Sequence, residues 1–159
     1  MTTVEHTDDE LLVWPNGELV DVASIEAYAE EARVVASHSL DDGTIRTPDW
    51  VIGELAKVSK VASKMVVVIL RAEEHKRAAA TRLERAKARK RVRVAHLPAA
   101  QQTAQIVLAT QEEKDAYDDA VTAFEYARRI GNLLSDYTGR VQSIGKQVEL
   151  TYRAETGRS

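Results

Sequence analysis

One apolar repeat constrains this chain more than any other feature of its sequence. From Val51 to Ala86, apolar residues recur at alternating spacings of four and three, with one place taken by Lys76. Such a heptad repeat is typical of a long helix with a single apolar seam. With Thr47 as N-cap and Pro48 at the first position, it predicts a helix over 47–92, about 65–70 Å long. A helix of this length requires a partner helix, another chain, or both to bury its seam.

A second repeat of the same kind predicts a helix over 111–153. Thr110 and Glu113 form the pattern of a capping box at its start. Gly131, Gly139 and Gly145 interrupt the repeat, each costing about 1 kcal/mol relative to alanine, and indicate close helix contacts, a kink, or a break near Gly139. The candidate core or oligomer-interface residues of the two seams are Leu55, Val58, Met65, Ile69, Leu83, Tyr117, Phe124, Leu134, Tyr137 and Val141.

The rest of the chain predicts short elements. Shorter helices are expected over 24–37 and 98–109. Two apolar runs flank Asn16-Gly17, so 11–22 is expected to form either a short β-hairpin or a loop that packs Trp14 against a helix. Residues 1–10 predict a disordered acidic tail, and 156–159 a frayed end. The expected fold is therefore all-α: one helical domain over 11–155, built on a long antiparallel helical hairpin and assembling as an oligomer.

Charge is strongly segregated along the chain. Residues 1–55 contain 13 acidic and 2 basic residues, a net charge of −11, whereas residues 56–100 contain 13 basic and 3 acidic residues, a net charge of +10. The overall net charge of −3 conceals this basic block. A concentrated basic block indicates a polyanionic partner more directly than the average charge does.

The residue types that carry catalytic or metal chemistry are sparse. The four histidines lack metal-ligand spacing, and cysteine is absent, which is typical of a reducing cytoplasm. The segment from Gly139 to Lys146 resembles a P-loop, but five residues separate its glycines where the motif has four, and Gln147 replaces the Ser or Thr. No apolar run approaches the roughly 18 residues of a membrane span. We therefore expect no enzymatic activity, no cofactor or metal, and no membrane partner.

The densest basic segment lies at the end of the first long helix. From Arg85 to Arg93 there are six basic residues and no acidic one, whereas the solvated face of a coiled coil normally mixes both signs. Like charges three and four residues apart destabilise a helix unless an anion neutralises them. We predict nucleic acid as the partner. The candidate DNA-binding residues are Lys76, Arg77, Arg82, Arg85, Lys87, Arg89, Lys90, Arg91 and Arg93.

Several short motifs match one known family. They are Phe124-Glu125-Tyr126, Leu133-Leu134, the ending Glu155-Thr156-Gly157, and, upstream, the Arg-x-Glu-x-x-Lys-Arg segment at 71–77. Over about residues 24–157 the chain resembles the UvsY recombination mediators of T-even phages, and the order of a short helix, a long basic helix, a linker and a long helix is the same. The segment 11–22 is an addition to that pattern.

The resemblance implies a protein without enzymatic activity that forms ring-shaped oligomers and binds single-stranded DNA. It implies that a RecA-like recombinase and a single-strand-binding protein are partners, and that the protein acts in the host cytoplasm if a phage encodes it. The basic pair that the family uses for DNA falls on Thr81 and Leu83 here, with Arg82 and Arg85 beside them. The alternative is a structural or regulatory coiled-coil protein whose basic helix meets an acidic protein, including the acidic first third of a neighbouring copy.

Overall fold

The structure, a computed structural model, describes residues 11–157, and this part of the chain is all-α. It contains four helices: α1 (Val22–Ala36), α2 (Pro48–Val94), α3 (Ala99–Ala109) and α4 (Gln111–Thr156). They hold 81% of the described residues. The predicted helical fold class is confirmed, with helix ends displaced by at most three residues from those predicted. The acidic tail predicted for 1–10 and the last two residues of the predicted C-terminal tail lie outside the described residues.

The segment before α1 is a turn with one bridge and contains no strand in the described residues. Val13 and Leu19 form a single antiparallel bridge around Gly17, whose φ of 86° is in the left-handed region that glycine adopts without strain. Trp14 is 4% exposed, and its Nε1 donates a hydrogen bond to Ser24 Oγ at 3.0 Å. The segment thus packs its tryptophan onto the start of α1.

Three helix starts test the capping predictions. Thr47 caps α2 as predicted, because its Oγ1 accepts a hydrogen bond from the Trp50 amide at 3.2 Å. The capping box predicted at Thr110 is wrong: the buried Thr110 hydroxyl donates backwards to Ile106 O at 2.9 Å, so this residue closes α3. A capping box occurs instead between Asp21 and Ser24, and it starts α1 two residues earlier than predicted.

The two long helices lie side by side and antiparallel, in a register that two glycines define. A Cβ at Gly131 would lie 2.9 Å from Ile69 Cδ1, and one at Gly145 would lie 3.0 Å from Val51 Cγ1. These glycines therefore mark close helix contacts. No atom lies within 4 Å of a Cβ built at Gly139, and α4 continues through it, so the break expected there is absent.

α1 packs across the middle of this pair, parallel to α4. Tyr126 donates a hydrogen bond to Glu30 at 2.8 Å, and farther along Arg140 lies 3.5 Å from Asp41. Arg33 also donates two hydrogen bonds to Glu30, and these, together with the one from Tyr126, lower the pKa of Glu30 to about 2. One contact within α1 and one in the segment after it thus fix α1 along α4.

The three helices share one hydrophobic core, and it covers only part of the long pair. Of the predicted seam residues, Leu83 and five others are buried, whereas Leu55, Ile69, Tyr117 and Phe124 are half-buried. The buried members of the shared core are Val58, Met65, Leu134, Tyr137 and Val141, packed with alanines of α1. This core ends at Ala72 on α2 and Ala123 on α4; past those residues the pair forms a separate region, hereafter the tip, which includes α3.

A polar cluster joins α2, α4 and the segment after α1. Tyr137 is 2% exposed and donates a hydrogen bond to Glu54 Oε1 at 2.7 Å. Lys57 Nζ lies 3.7 Å and His38 Nδ1 lies 4.0 Å from the same oxygen. Burial and this hydrogen bond raise the pKa of Tyr137 to about 12.

Tyr137 is expected to lower stability at alkaline pH. Its pKa in the folded protein lies above the ordinary value of 10.0. The stabilisation that the protonated hydroxyl contributes to folding is therefore complete below pH 10 and is lost as pH rises through about 12. Tyr137→Phe removes this titration. Urea unfolding at about pH 9 and about pH 11 should therefore show a smaller loss of unfolding free energy in the variant than in the parent. Equal losses in both proteins would contradict the assignment.

None of the helices within residues 11–157 combines the length and the apolar character needed to cross a membrane.

Candidate nucleic-acid interface

The basic run, residues 85–93, occupies the last turns of α2 in the tip. Leu83, Ala86 and Val94 are buried here and fix which side of the helix faces the rest of the tip. The basic residues lie between these anchors: Arg85, Arg89, Arg91 and Arg93 are exposed, and Lys87 and Lys90 are half-exposed. The hydrophobic pattern therefore leaves all six basic side chains accessible to a ligand.

Most of the run has no acidic partner in the described part of the chain. Lys87 pairs with Glu84 at 2.8 Å. That hydrogen bond, with the charges of Lys87 and Arg91, lowers the pKa of Glu84. The other five lie more than 4.0 Å from every described carboxylate and make no hydrogen bond there: Arg85, Arg89, Lys90, Arg91 and Arg93. These five are hereafter the unpaired bases.

The remaining candidates of the sequence analysis lie closer to the core and have partners. Lys76 Nζ lies 3.8 Å from the centre of the Phe124 ring, a cation–π contact between α2 and α4. Arg77 pairs with Glu73 at 2.6 Å, and Arg82 Nε donates to the carbonyl of Ala78 at 3.4 Å. The structure thus separates the nine candidates into a mostly unpaired group at the end of α2 and a partnered group before it.

A second set of lysines lies on α2 beside the acidic α1. Lys64 Nζ lies 3.8 Å from Glu31, and Lys57 lies near Glu54 as described above. Lys60 lies between them on the same part of α2 and is exposed. Intramolecular carboxylates therefore neutralise part of this set, which makes it a weaker phosphate site than the basic run.

An acidic segment that the sequence did not predict as part of the site lies beside the basic run. Because α4 is antiparallel to α2, its first turns lie along the end of α2, and they contain the acids Glu112, Glu113, Asp115, Asp118 and Asp119. No ion pair within 4.0 Å joins these acids to the basic run in the described residues. The acidic composition of 111–119 is visible in the sequence. The position of this segment next to 85–93, however, depends on the register between α2 and α4.

The surroundings of the basic run favour contacts to phosphates over contacts to bases. No aromatic residue occurs between residues 51 and 116. Phe124, at the base of the tip, is covered by Lys76 and lies 5.8 Å from the Arg128 guanidinium. Tyr117, in the first turns of α4 beside the run, is half-buried, and Lys114 Nζ lies 5.7 Å from the centre of its ring. Aromatic rings on which bases can stack, which add affinity in many single-strand sites, are therefore sparse near this run.

Residues 11–157 contain no group of three or more His, Cys, Asp or Glu side chains that could hold a metal ion.

Comparison with known proteins leaves the geometry as the main guide to function: no protein-family model, no curated protein and no solved structure matches the chain.

Proposed function

We propose that this protein is an oligomeric, single-stranded-DNA-binding mediator of homologous recombination that helps to load a RecA-like recombinase. The observation that carries the proposal is the group of five unpaired bases at the end of α2. The mediator role and the recombinase partner come from the resemblance to the UvsY family. The proposed protein has no catalytic residue, so its action consists of binding.

The distribution of the unpaired bases favours a flexible strand over a rigid duplex. Arg85, Arg89 and Arg93 are four residues apart and lie on one side of α2, whereas Lys90 and Arg91 lie on other sides. A duplex docked against the outside of α2 contacts mainly the side of Arg85, Arg89 and Arg93, whereas a flexible single strand bends to reach other sides as well. Binding by such a surface depends on phosphates and has little sequence preference.

A second candidate is a scaffold whose basic helix contacts an acidic protein surface. The observation that favours it is that lysines of α2 already pair with acids of the first third of the chain, as Lys64 does with Glu31. A neighbouring copy supplies the same kind of acids. Binding of single-stranded DNA near physiological salt separates the two candidates.

The salt dependence of binding tests the proposal. If about four phosphates are neutralised per chain, the logarithm of the affinity should fall with the logarithm of salt concentration at a slope of about −3. Fluorescence anisotropy with a labelled oligothymidylate and with a mixed-sequence strand of equal length measures this slope. The two strands should bind within about threefold of each other. A flat salt response, or a strong preference for one strand, would contradict phosphate-dominated binding.

A further inference from the structure

The α2–α4 pair has one side that α1 does not cover. On this side two depressions follow each other along the pair, both lined only by α2 and α4 among the described residues; together they are hereafter the open face. Ile52, Val66 and Ile69 line it from α2, and Gly131, Ser135 and Gly145 line it from α4. The lining residues of each helix recur at spacings of three and four, so they form one stripe per helix.

Large apolar side chains on this face lie in solvent. Ile52 is 66% exposed and Val66 is 68% exposed, whereas the equally apolar Met65, one residue away, is 3% exposed. From Pro48 to Glu73 the face is about 38 Å long, and two helices make it about 20 Å wide. The resulting area of about 750 Å² is close to the roughly 800 Å² that each partner contributes to a standard specific interface.

We propose that the open face binds the open face of a second copy, with the two-fold axis parallel to the long helices. In this arrangement α2 of each copy packs across α4 of the other, and the four long helices form a bundle in which neighbours are antiparallel. The proposal concerns the self-association named in the proposed function and so rests on it in part, but it needs no nucleic acid. A two-fold contact closes at two copies and is distinct from the ring that the family resemblance implies.

The shapes of the two stripes are complementary in this arrangement. A rotation about an axis parallel to the helices keeps each residue at its own level along the bundle. Ile69 and Gly131 are level within one chain, as are Val51 and Gly145. The space of each missing glycine side chain is already filled by α2 of the same chain, so the partner meets backbone and small residues there. Ile52 is level with Gly145 of the partner's α4, and Val66 is level with its Ser135.

The charges on the open face are complementary in the same arrangement. Glu73 and Arg128 line the same end of the face, one on α2 and one on α4. Arg128 has no carboxylate within 4.0 Å in the described residues, although its guanidinium lies near the Phe124 ring. Glu73 already pairs with Arg77 of its own chain at 2.6 Å. The two-fold axis places each Glu73 opposite the Arg128 of the other copy, so that its carboxylate accepts from both guanidinium groups, at two such positions per dimer.

The arrangement also brings the two basic runs to the same end of the dimer. Both copies of α2 point in the same direction, so their last turns lie at the same end of the bundle, on diagonally opposite corners. One strand can then contact two runs, which raises its affinity through effective concentration without any new contact type. Self-association and DNA binding can be measured separately on the same protein.

Two matched lysine substitutions test the surface. Val66→Lys places a charge on the open face, whereas Val34→Lys places one on an exposed position of α1, where the valine is 51% exposed. Sedimentation equilibrium without DNA should show single chains for Val66→Lys and the parental assembly for Val34→Lys. A parental protein that is monomeric at micromolar concentration, or a Val66→Lys protein of unchanged mass, would overturn the proposal and leave the face to another occupant.

A charge swap tests the pairing, and fluorescence transfer tests the orientation. Glu73→Arg and Arg128→Glu alone should each weaken association by at least about tenfold, and the double variant should recover most of that loss. His96→Cys, in a chain without other cysteines, permits donor and acceptor labelling at the tip. Parallel copies give efficient transfer between tips; absence of transfer in a dimer would overturn the two-fold orientation. A Val66→Lys monomer that still binds DNA shows that DNA binding does not depend on the open-face contact. The proposed function therefore stands or falls separately from this contact.

Discussion

Replacing Arg85, Arg89, Lys90 and Arg91 with glutamate is expected to abolish single-stranded DNA binding, lowering affinity by about three orders of magnitude at 0.1 M salt. The four side chains belong to the unpaired bases, and loss of about four phosphate contacts removes the corresponding counterion release. Helicity and oligomeric mass should be unchanged, because none of the four is buried. Anisotropy at fixed salt, circular dichroism and sedimentation measure the three properties.

The control is charge reversal at Lys57, Lys60 and Lys64. Two of these lysines already face carboxylates of the same chain, so their reversal should weaken DNA binding by less than about tenfold. Salt must be the same for both variants, because a change in charge alters every polyanion affinity. A larger effect of this triple would place the strand at the opposite end of α2. If neither variant affects the interaction while the oligomer persists, the scaffold function is favoured.

Leu134→Ala is expected to destabilise the protein by about 2–5 kcal/mol. Leu134 is 2% exposed and lies in the core that α1 shares with the long pair, so its truncation leaves a cavity as well as lost apolar contact. Since small domains are stable by only about 5–15 kcal/mol, the melting temperature should fall sharply. Urea unfolding monitored by helicity measures the change.

The neighbouring leucine is the matched control for this prediction. Leu133 has the same side chain on the same helix but is 39% exposed, so Leu133→Ala should cost about 1 kcal/mol or less. Similar losses for the two variants would mean that α4 is rotated from the orientation described here. A larger loss for Leu133→Ala would contradict the packing of α1 against this part of α4.

Sequence periodicity predicts the helices of this chain well because it reports burial along a single element. The spacing of Val58, Met65 and Ala72 requires a helix with one buried stripe, and all three are buried. The start of α2 was predictable for a similar reason, since Thr47 and Pro48 act within one turn. The exposure of Arg85, Arg89 and Arg93 also follows from local spacing, because these residues lie off the helix side that carries the buried positions 83, 86 and 94. Lys90 continues the buried spacing and is only half-exposed.

Features that depend on contacts between elements were not predictable from this sequence. Thr110 matches a capping box, but its burial beside Ile106 O offers the hydroxyl a different acceptor. The hydrogen bond from Tyr137 to Glu54 spans 83 residues, and no local pattern signals it. The acids at the start of α4 become neighbours of the basic run only through the helix register. Leu55 and Ile69 fit the seam equally well, yet they are half-buried because α1 covers only one side of it.

Because the shared core ends at Ala72 and Ala123, the length of the tip beyond it can change without altering that core. Past that boundary the pair is held together by a narrow seam of mostly alanines, namely Ala79, Leu83, Ala86 and Ala120. Deleting or inserting one heptad in both long helices would shift the basic run by about 10 Å while leaving the three-helix core unaltered. The distance from the body of the protein to its charged end is thus a property that chain length can change without a new fold.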